Sequence, residues 1–126
     1  MNTATAPTST TIPIPLAPGE IYAGLATDPE GKSVHHLILL PGDVEKNWAD
    51  AKAWAASIGG ELPTRTEALL FFHTQRGEFQ REAYWTSQQH AADPSYAWYQ
   101  HFDWGGQDFL DLSWELRARA VRRVPL

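Results

Sequence analysis

The sequence predicts a single α+β domain in which two short helices are followed by antiparallel strands. Three observations predict it. Residues 59–70 read Gly59-Gly60-Glu61-Leu62-Pro63-Thr64-Arg65-Thr66-Glu67-Ala68-Leu69-Leu70; two glycines stop one helix and a Pro-Thr pair starts the next. Glu67 stands three residues after Thr64, the spacing of a capping box, where hydroxyl and carboxylate each accept from the other residue's backbone N–H. Apolar residues recur at helical spacing before Gly77 and at a period of two after it.

The elements follow in order. Residues 1–19 are rich in Thr, Ala, Pro and Ser and end in Ile12-Pro13-Ile14-Pro15-Leu16-Ala17-Pro18-Gly19. They are expected to form a disordered start and an extended arm, because each Pro biases its predecessor away from helix. Residues 20–126 form the domain. Glu20–Ala26 and Ser33–Leu40 read as strands joined by the turn signal Asp28-Pro29-Glu30-Gly31. The second of these is apolar over its last four residues and is expected to be central. Asn47 caps the first helix, with Trp48, Ala51, Ala55 and Ile58 on its buried face and Gly59 as its left-handed stop. The second helix spans roughly residues 65–76, with Ala68, Leu69, Phe72 and Phe71 expected to face inward.

Beyond Gly77, Ala83–Ser87 reads as a strand and Gln88–Ser95 as a polar loop. Tyr96–Asp103 is a strand with Ala97, Tyr99 and His101 on one side and Trp98, Gln100 and Phe102 on the other. Trp85, Trp98 and Phe102 are expected in the core. Gly105-Gly106 supplies a turn, after which Phe109 to Trp114 either pairs back or forms a long loop. Leu116–Val124 closes the domain as one strand, with Arg117, Arg119, Arg122 and Arg123 expected on its solvent side.

Composition narrows the function. At 126 residues and 43% hydrophobic, the chain suits one core. Six Trp, five Phe and four Tyr exceed what that core needs, leaving rings for a surface. A net charge of −5 argues against a nucleic-acid binder, which needs a basic face. The absence of cysteine excludes disulfides, a thiolate nucleophile and Cys-ligated zinc. No apolar run approaches membrane-helix length and no basic, apolar leader is visible, so a cytoplasmic or virion-associated protein is expected.

The combination of Trp48-x-x-Ala51, the Gly59-Gly60 stop, Leu62-Pro63-Thr64, Tyr84-Trp85-Thr86-Ser87, Ala97-Trp98-Tyr99 and Arg119-Ala120-Val121-Arg122 resembles the C-type lectin-like fold. More narrowly it resembles the bacterial and phage proteins grouped with the Lcl C-terminal domain, over residues 44–124. The resemblance implies paired N- and C-terminal strands, two helices packed on short antiparallel sheets, and a long loop region that presents ligands. It also implies a binding role, towards sugars, proteins or ice across the broad fold. The Glu-Pro-Asn, Gln-Pro-Asp and Trp-Asn-Asp triplets of calcium-dependent sugar sites are absent, and Asp93-Pro94-Ser95 does not replace them. The formylglycine-generating enzymes of this broad fold depend on active-site cysteines, which this chain lacks.

Catalytic and metal chemistry is poorly supported by spacing. His35 and His36 are adjacent in a strand and point to opposite faces. His73, His90, His101 and Asp103 fall in no metal-binding spacing, and Ser87 and Ser113 lack a nucleophile-elbow context. No catalytic residue, cofactor or metal is therefore expected. The best binding surface lies within Gln88–Glu115, in Tyr96, Tyr99, His101, Trp104, Gln107, Asp108, Phe109, Asp111 and Trp114. Large rings among short polar groups are what interface hot spots use.

The expected function is a non-enzymatic binding module of phage or prophage origin that recognises a protein or a glycan without calcium, with neither nucleic acid nor membrane as partner. The alternatives are an assembly protein that forms a homo-oligomer through residues 12–18, and a small hydrolase using His101 and Asp103.

Overall fold

The computed structural model describes residues 14–28 and 30–126. The elements run β1 (Ile21–Thr27), β2 (Val34–Leu39), β3 (Val44–Lys46), α1 (Trp48–Ser57), α2 (Arg65–Thr74), a 3-10 turn (Arg76–Glu78), β4 (Ala83–Gln89), β5 (Tyr96–His101), β6 (Gln107–Asp111), β7 (Leu116–Ala118) and β8 (Val121–Pro125). They build two sheets, one ordered β1-β2-β8 and one ordered β3-β7-β4-β5-β6. Pairing is antiparallel except for the single parallel contact between β4 and β7 at Tyr84 and Arg117. The architecture is thus α+β. No helix among the described residues is long and apolar enough to cross a membrane.

Strand β2 is central and buried on both faces. Leu37 and Leu39 enter one core with Phe71, Tyr84, Phe102 and Val121, while Ile38 and Leu40 enter a second with Trp48, Ala51, Ala55 and Trp85. This explains its unbroken apolar run, since a strand covered on both sides has no solvent side to alternate with. The C-terminal strand pairs with β2, which separates it from the first strand β1.

The local signals around the helices act as read. Asn47 Oδ1 accepts from Asp50 N–H at 2.9 Å, and Gly59 stops α1 at φ +85°. Thr64 Oγ1 accepts from Glu67 N–H at 3.2 Å while Glu67 Oε1 accepts from Thr64 N–H at 2.9 Å, closing the capping box. Between the helices Gly60 lets two backbones meet. A Cβ there would stand 2.6 Å from the Val121 carbonyl oxygen and 2.6 Å from Leu40 Cδ1. Glu61 and Val121 exchange backbone hydrogen bonds immediately beyond it.

Several expectations are corrected. Ile58 is exposed, because α1 ends at Ser57 and the cap backbone leaves the helical region at φ −104°, ψ 14°. In α2 the buried residues are Glu67, Ala68 and Phe71, whereas Leu69 is 51% exposed and Phe72 half-buried. The helix is rotated so that the Glu67 carboxylate, rather than Leu69, faces β2 and β8. The single closing strand Leu116–Val124 is two strands in different sheets, parted at Arg119-Ala120.

The four C-terminal arginines also leave the expected solvent side. Arg119 is buried and donates to Leu40 O and Glu78 O, both at 2.7 Å. Arg117 pairs with Asp43 at 3.0 Å and Arg122 with Glu20 at 2.9 Å. Arg123 donates to both carboxylate oxygens of Glu67, at 2.7 and 2.8 Å, and pairs with Glu61. His35 Nε2 lies 2.7 Å from Glu67 Oε2.

Glu67 is fully buried. Burial pushes its carboxyl up, but Arg123, the Thr64 N–H and His35 together outweigh that and hold it below the usual glutamate range. A carboxyl whose folded pKa is depressed stabilises the fold above its unfolded pKa, and that stability is lost as pH falls through the folded value. Arg123→Ala strands this charge, and we expect a loss of about 3 kcal/mol in urea denaturation at neutral pH. We also expect Glu67→Gln to be less stable than the parent at neutral pH and to show a flatter acid limb. Gly60→Ala should cost about 1–3 kcal/mol in the same measurement through overpacking against the β8 backbone.

Candidate aromatic and acidic surface

The β5–β6 hairpin carries the surface, and it is more regular than the sequence suggests. β4 continues to Gln89 and β6 pairs back onto β5 in full register, so the loops within Gln88–Glu115 shrink to short turns. The Gln88–Ser95 loop of the sequence reading is therefore corrected to a strand end plus a turn over residues 90–95. The first turn of the hairpin closes through Gly105 N–H to His101 O at 3.0 Å, with Gly105 at φ +86°. A Cβ at Gly105 would strike the Phe72 ring at 2.6 Å.

Strand alternation divides the expected site residues between two faces. The register pairs Tyr96 with Asp111, Trp98 with Phe109 and Gln100 with Gln107, so these six share the face turned toward the start of α2. Tyr99 pairs with Asp108 on the opposite face, with His101 two residues on. Tyr99 is packed against the core there, and burial together with the Asp108 charge pushes its phenol up. Trp104 lies in the turn with its ring stacked on His101 at 5.4 Å, and Trp114 lies in the turn after β6; each is 60% exposed.

On the α2 side the rings form a cross-strand row. His90 stacks on Trp98 at 5.6 Å, and Phe109 meets Trp98 edge-on at 5.2 Å and His90 at 4.4 Å, with Tyr96 5.6 Å away. The Arg65 guanidinium lies 3.6 Å from the Trp98 ring centroid, within cation–π range. Gln107 fixes that arginine by accepting from Nε at 2.9 Å and donating to the Arg65 carbonyl at 2.8 Å. Beside the row a hollow of about 290 Å³ is lined by Arg65, Thr66, Leu69, Gln88 and Gln107.

Trp98 was expected in the core, and the structure corrects this: it is half-buried within the surface row. Further along the same face Gln100 and Phe102 are covered and buried, whereas at Trp98 the cover is the Arg65 side chain and neighbouring rings. Trp85 and Phe102 are buried as expected. The sequence reading thus missed Arg65, Gln88, His90 and Trp98 as surface residues.

The turns at the far end are held by two Asp-x-Ser motifs. Asp93 Oδ1 accepts from Ser95 N–H and Oγ, and Asp111 Oδ1 accepts from Ser113 N–H and Oγ. These bonds hold both carboxyls below the usual aspartate range. Among the described residues no group of three or more His, Asp or Glu side chains converges as a metal site. His101 Nδ1 accepts from the Asp103 N–H, while the Asp103 carboxylate pairs with Arg81 at 3.1 Å.

A second, polar cavity was not anticipated. About 340 Å³ in volume, it is lined by Ser33, His35, Glu61, Thr64, Ser87 and Arg123, among others, around the Glu67 carboxylate. The two histidines do point apart: His36 Nδ1 lies 2.8 Å from the Tyr22 hydroxyl, on the other face of β2. Of the proposed N-terminal arm, Ile12 and Pro13 lie outside the described residues. Ile14 packs against the domain's own core, and Pro15 O accepts from Arg122 at 2.9 Å. No protein-family model matches the chain, and no curated protein matches its sequence.

The difference between core and surface rings is measurable. We expect Trp85→Ala to cost about 3–5 kcal/mol in urea denaturation. Trp104→Ala should stay within about 0.5 kcal/mol of the parent, as for an exposed surface residue.

Proposed function

We propose that the protein is a non-enzymatic binding module of C-type lectin-like architecture, of phage or prophage origin, that recognises a protein or a glycan through residues 88–115. The observation that carries the reading is the surface of the β5–β6 hairpin and the turn that follows β6. It holds Trp104, Phe109 and Trp114 out to solvent, at 60%, 38% and 60% exposure, beside the braced row of His90, Trp98 and Arg65. Exposed rings on a rigid ladder offer large contact area at small ordering cost, the character of interface anchors. The ring faces also suit stacking on sugar rings, with Gln88, Gln107 and Arg65 as directional partners around the adjacent hollow.

The reading needs no calcium, because the chain has none of the chelating triplets of calcium-dependent lectins. The alternative, assembly through residues 12–18, has less support, since from Ile14 onward the segment rests on its own domain.

The test is capture on a glycan array and from bacterial lysate by the parent, Trp104→Ala and Phe109→Ala proteins, with and without chelator. We expect captured ligands to be lost by at least one ring variant at unchanged thermal stability and to be indifferent to chelator. Equal capture by all three proteins would remove the hairpin as the site, and loss of capture in chelator would overturn the calcium-independent reading.

A further inference from the structure

We propose that β6 is a docking edge for an extended, lysine- or arginine-bearing polypeptide strand, which joins the larger sheet as its sixth strand; this rests on the binding-module reading above and names its partner class. Strand β6 is the last in the order β3-β7-β4-β5-β6, so among the described residues one side of its backbone faces no neighbour in the sheet. Such an edge is a template for another chain's strand.

The register identifies the groups that face outward. In an antiparallel pair the residues alternate between bonding their neighbour and turning away. Phe109 N–H donates to the Asp108 side chain at 2.8 Å rather than to β5, and the carbonyl of its partner Trp98 accepts from Thr86 on the β4 side. The outward residues are therefore Gln107, Phe109 and Asp111. The Asp111 carbonyl is already taken by Trp114 N–H. Among the described residues this leaves Gln107 N–H and C=O, Phe109 C=O and Asp111 N–H for an incoming strand. Asp108 acts as a placeholder on the Phe109 N–H. A carbonyl of the guest strand replaces it and frees the Asp108 carboxylate for a guest cation.

The other edges are less suited. β3 has three residues, β8 is bridged by Glu61 at Val121, and β1 is broken by a register shift between Tyr22 and Gly24. Only β6 is flanked at both ends by strongly exposed tryptophans, Trp104 before it and Trp114 after it.

Charge selects the occupant. Between Arg81 and Arg117 the chain contains no Lys or Arg, yet it contains Glu82, Asp93, Asp103, Asp108, Asp111 and Glu115. Glu82 is paired by Arg117 and Asp103 by Arg81, while the other four meet no Arg or Lys in an ion pair among the described residues. A second copy of the edge would bring a second set of the same carboxylates to the seam, and like charges facing across strands destabilise pairing. A strand with Lys or Arg at alternate positions instead sets its cations on the Asp108 face, the face of His101 and its stacked Trp104, and turns its apolar residues to the Phe109 face.

The probes are short peptides alternating lysine with valine, the same peptides N-methylated at every second residue, and the glutamate–valine counterpart. Binding is read by fluorescence anisotropy at low salt and at about 0.5 M NaCl, with amide exchange of the full chain as the local readout. We expect the lysine–valine peptide to bind and to slow exchange at Gln107 and Asp111. We expect N-methylation, Asp108→Asn and high salt each to weaken it roughly tenfold. A lysine–valine peptide that binds no better than its glutamate counterpart, or that tolerates N-methylation, overturns the proposal. So does a dimer of the parent chain that protects the same amides. Ring-dependent capture of a glycan or folded protein alongside that failure would leave the binding-module reading intact.

Discussion

The Glu67 carboxylate is the point through which the fold is fastened. It accepts from the first turn of its own helix, from His35 on β2 and from Arg123 on β8, and Arg123 extends the link to Glu61 and to the Leu62 carbonyl in the joint between the helices. The helix joint, the central strand and the C-terminal strand are thereby tied at one buried group. A fully buried charge is tolerated only when its neighbours replace water almost completely. That requirement fixes the rotation of α2 and explains why Leu69, a residue with more to gain from burial, faces outward.

A second constraint joins the two sheets. After β7 the chain must cross from the larger sheet to the smaller one, and at the crossing Arg119 is drawn inside to satisfy the carbonyls of Leu40 and Glu78. Burial pushes its guanidinium pKa down, since the hydrogen bonds it makes are to neutral carbonyls. The same crossing places Ala120 and Val121 against Gly60, where no side chain fits. Small residues and one buried cation thus do at this junction what a continuous strand was expected to do.

The hairpin stands apart from both fastenings. One face is anchored by Tyr99 and Leu110 on the core and the other by the Gln107–Arg65 exchange on α2, while its edge and the adjoining turns carry exposed rings and carboxylates that form no ion pair among the described residues. Support behind an exposed, chemically mixed edge leaves those rings outside without taking area from the core. Of the nine residues singled out in the sequence, Trp104, Phe109 and Trp114 point where a partner can reach them, whereas Tyr99 is largely given to packing. His101 serves as the platform for Trp104.

Short-range chemistry was readable in the chain itself. The Asn47 cap, the Thr64–Glu67 box, the left-handed Gly59 and the apolar run of β2 each depend on residues within a few positions of one another, so their spacing is sufficient to specify them. What depended on distant partners was not readable. Glu67 and Arg123 are 56 positions apart and Arg65 and Gln107 are 42 apart, so nothing local marks either carboxylate or guanidinium as buried or stacked. The period-two pattern of residues 116–124 is the same for one strand or for two in different sheets; only the packing of Arg119 between them decides. Composition determined that there would be surplus rings and an acidic balance, and the tertiary pairing of β5 with β6 decided which rings face water, because alternation assigns a residue to a face only once its strand's neighbours are in place.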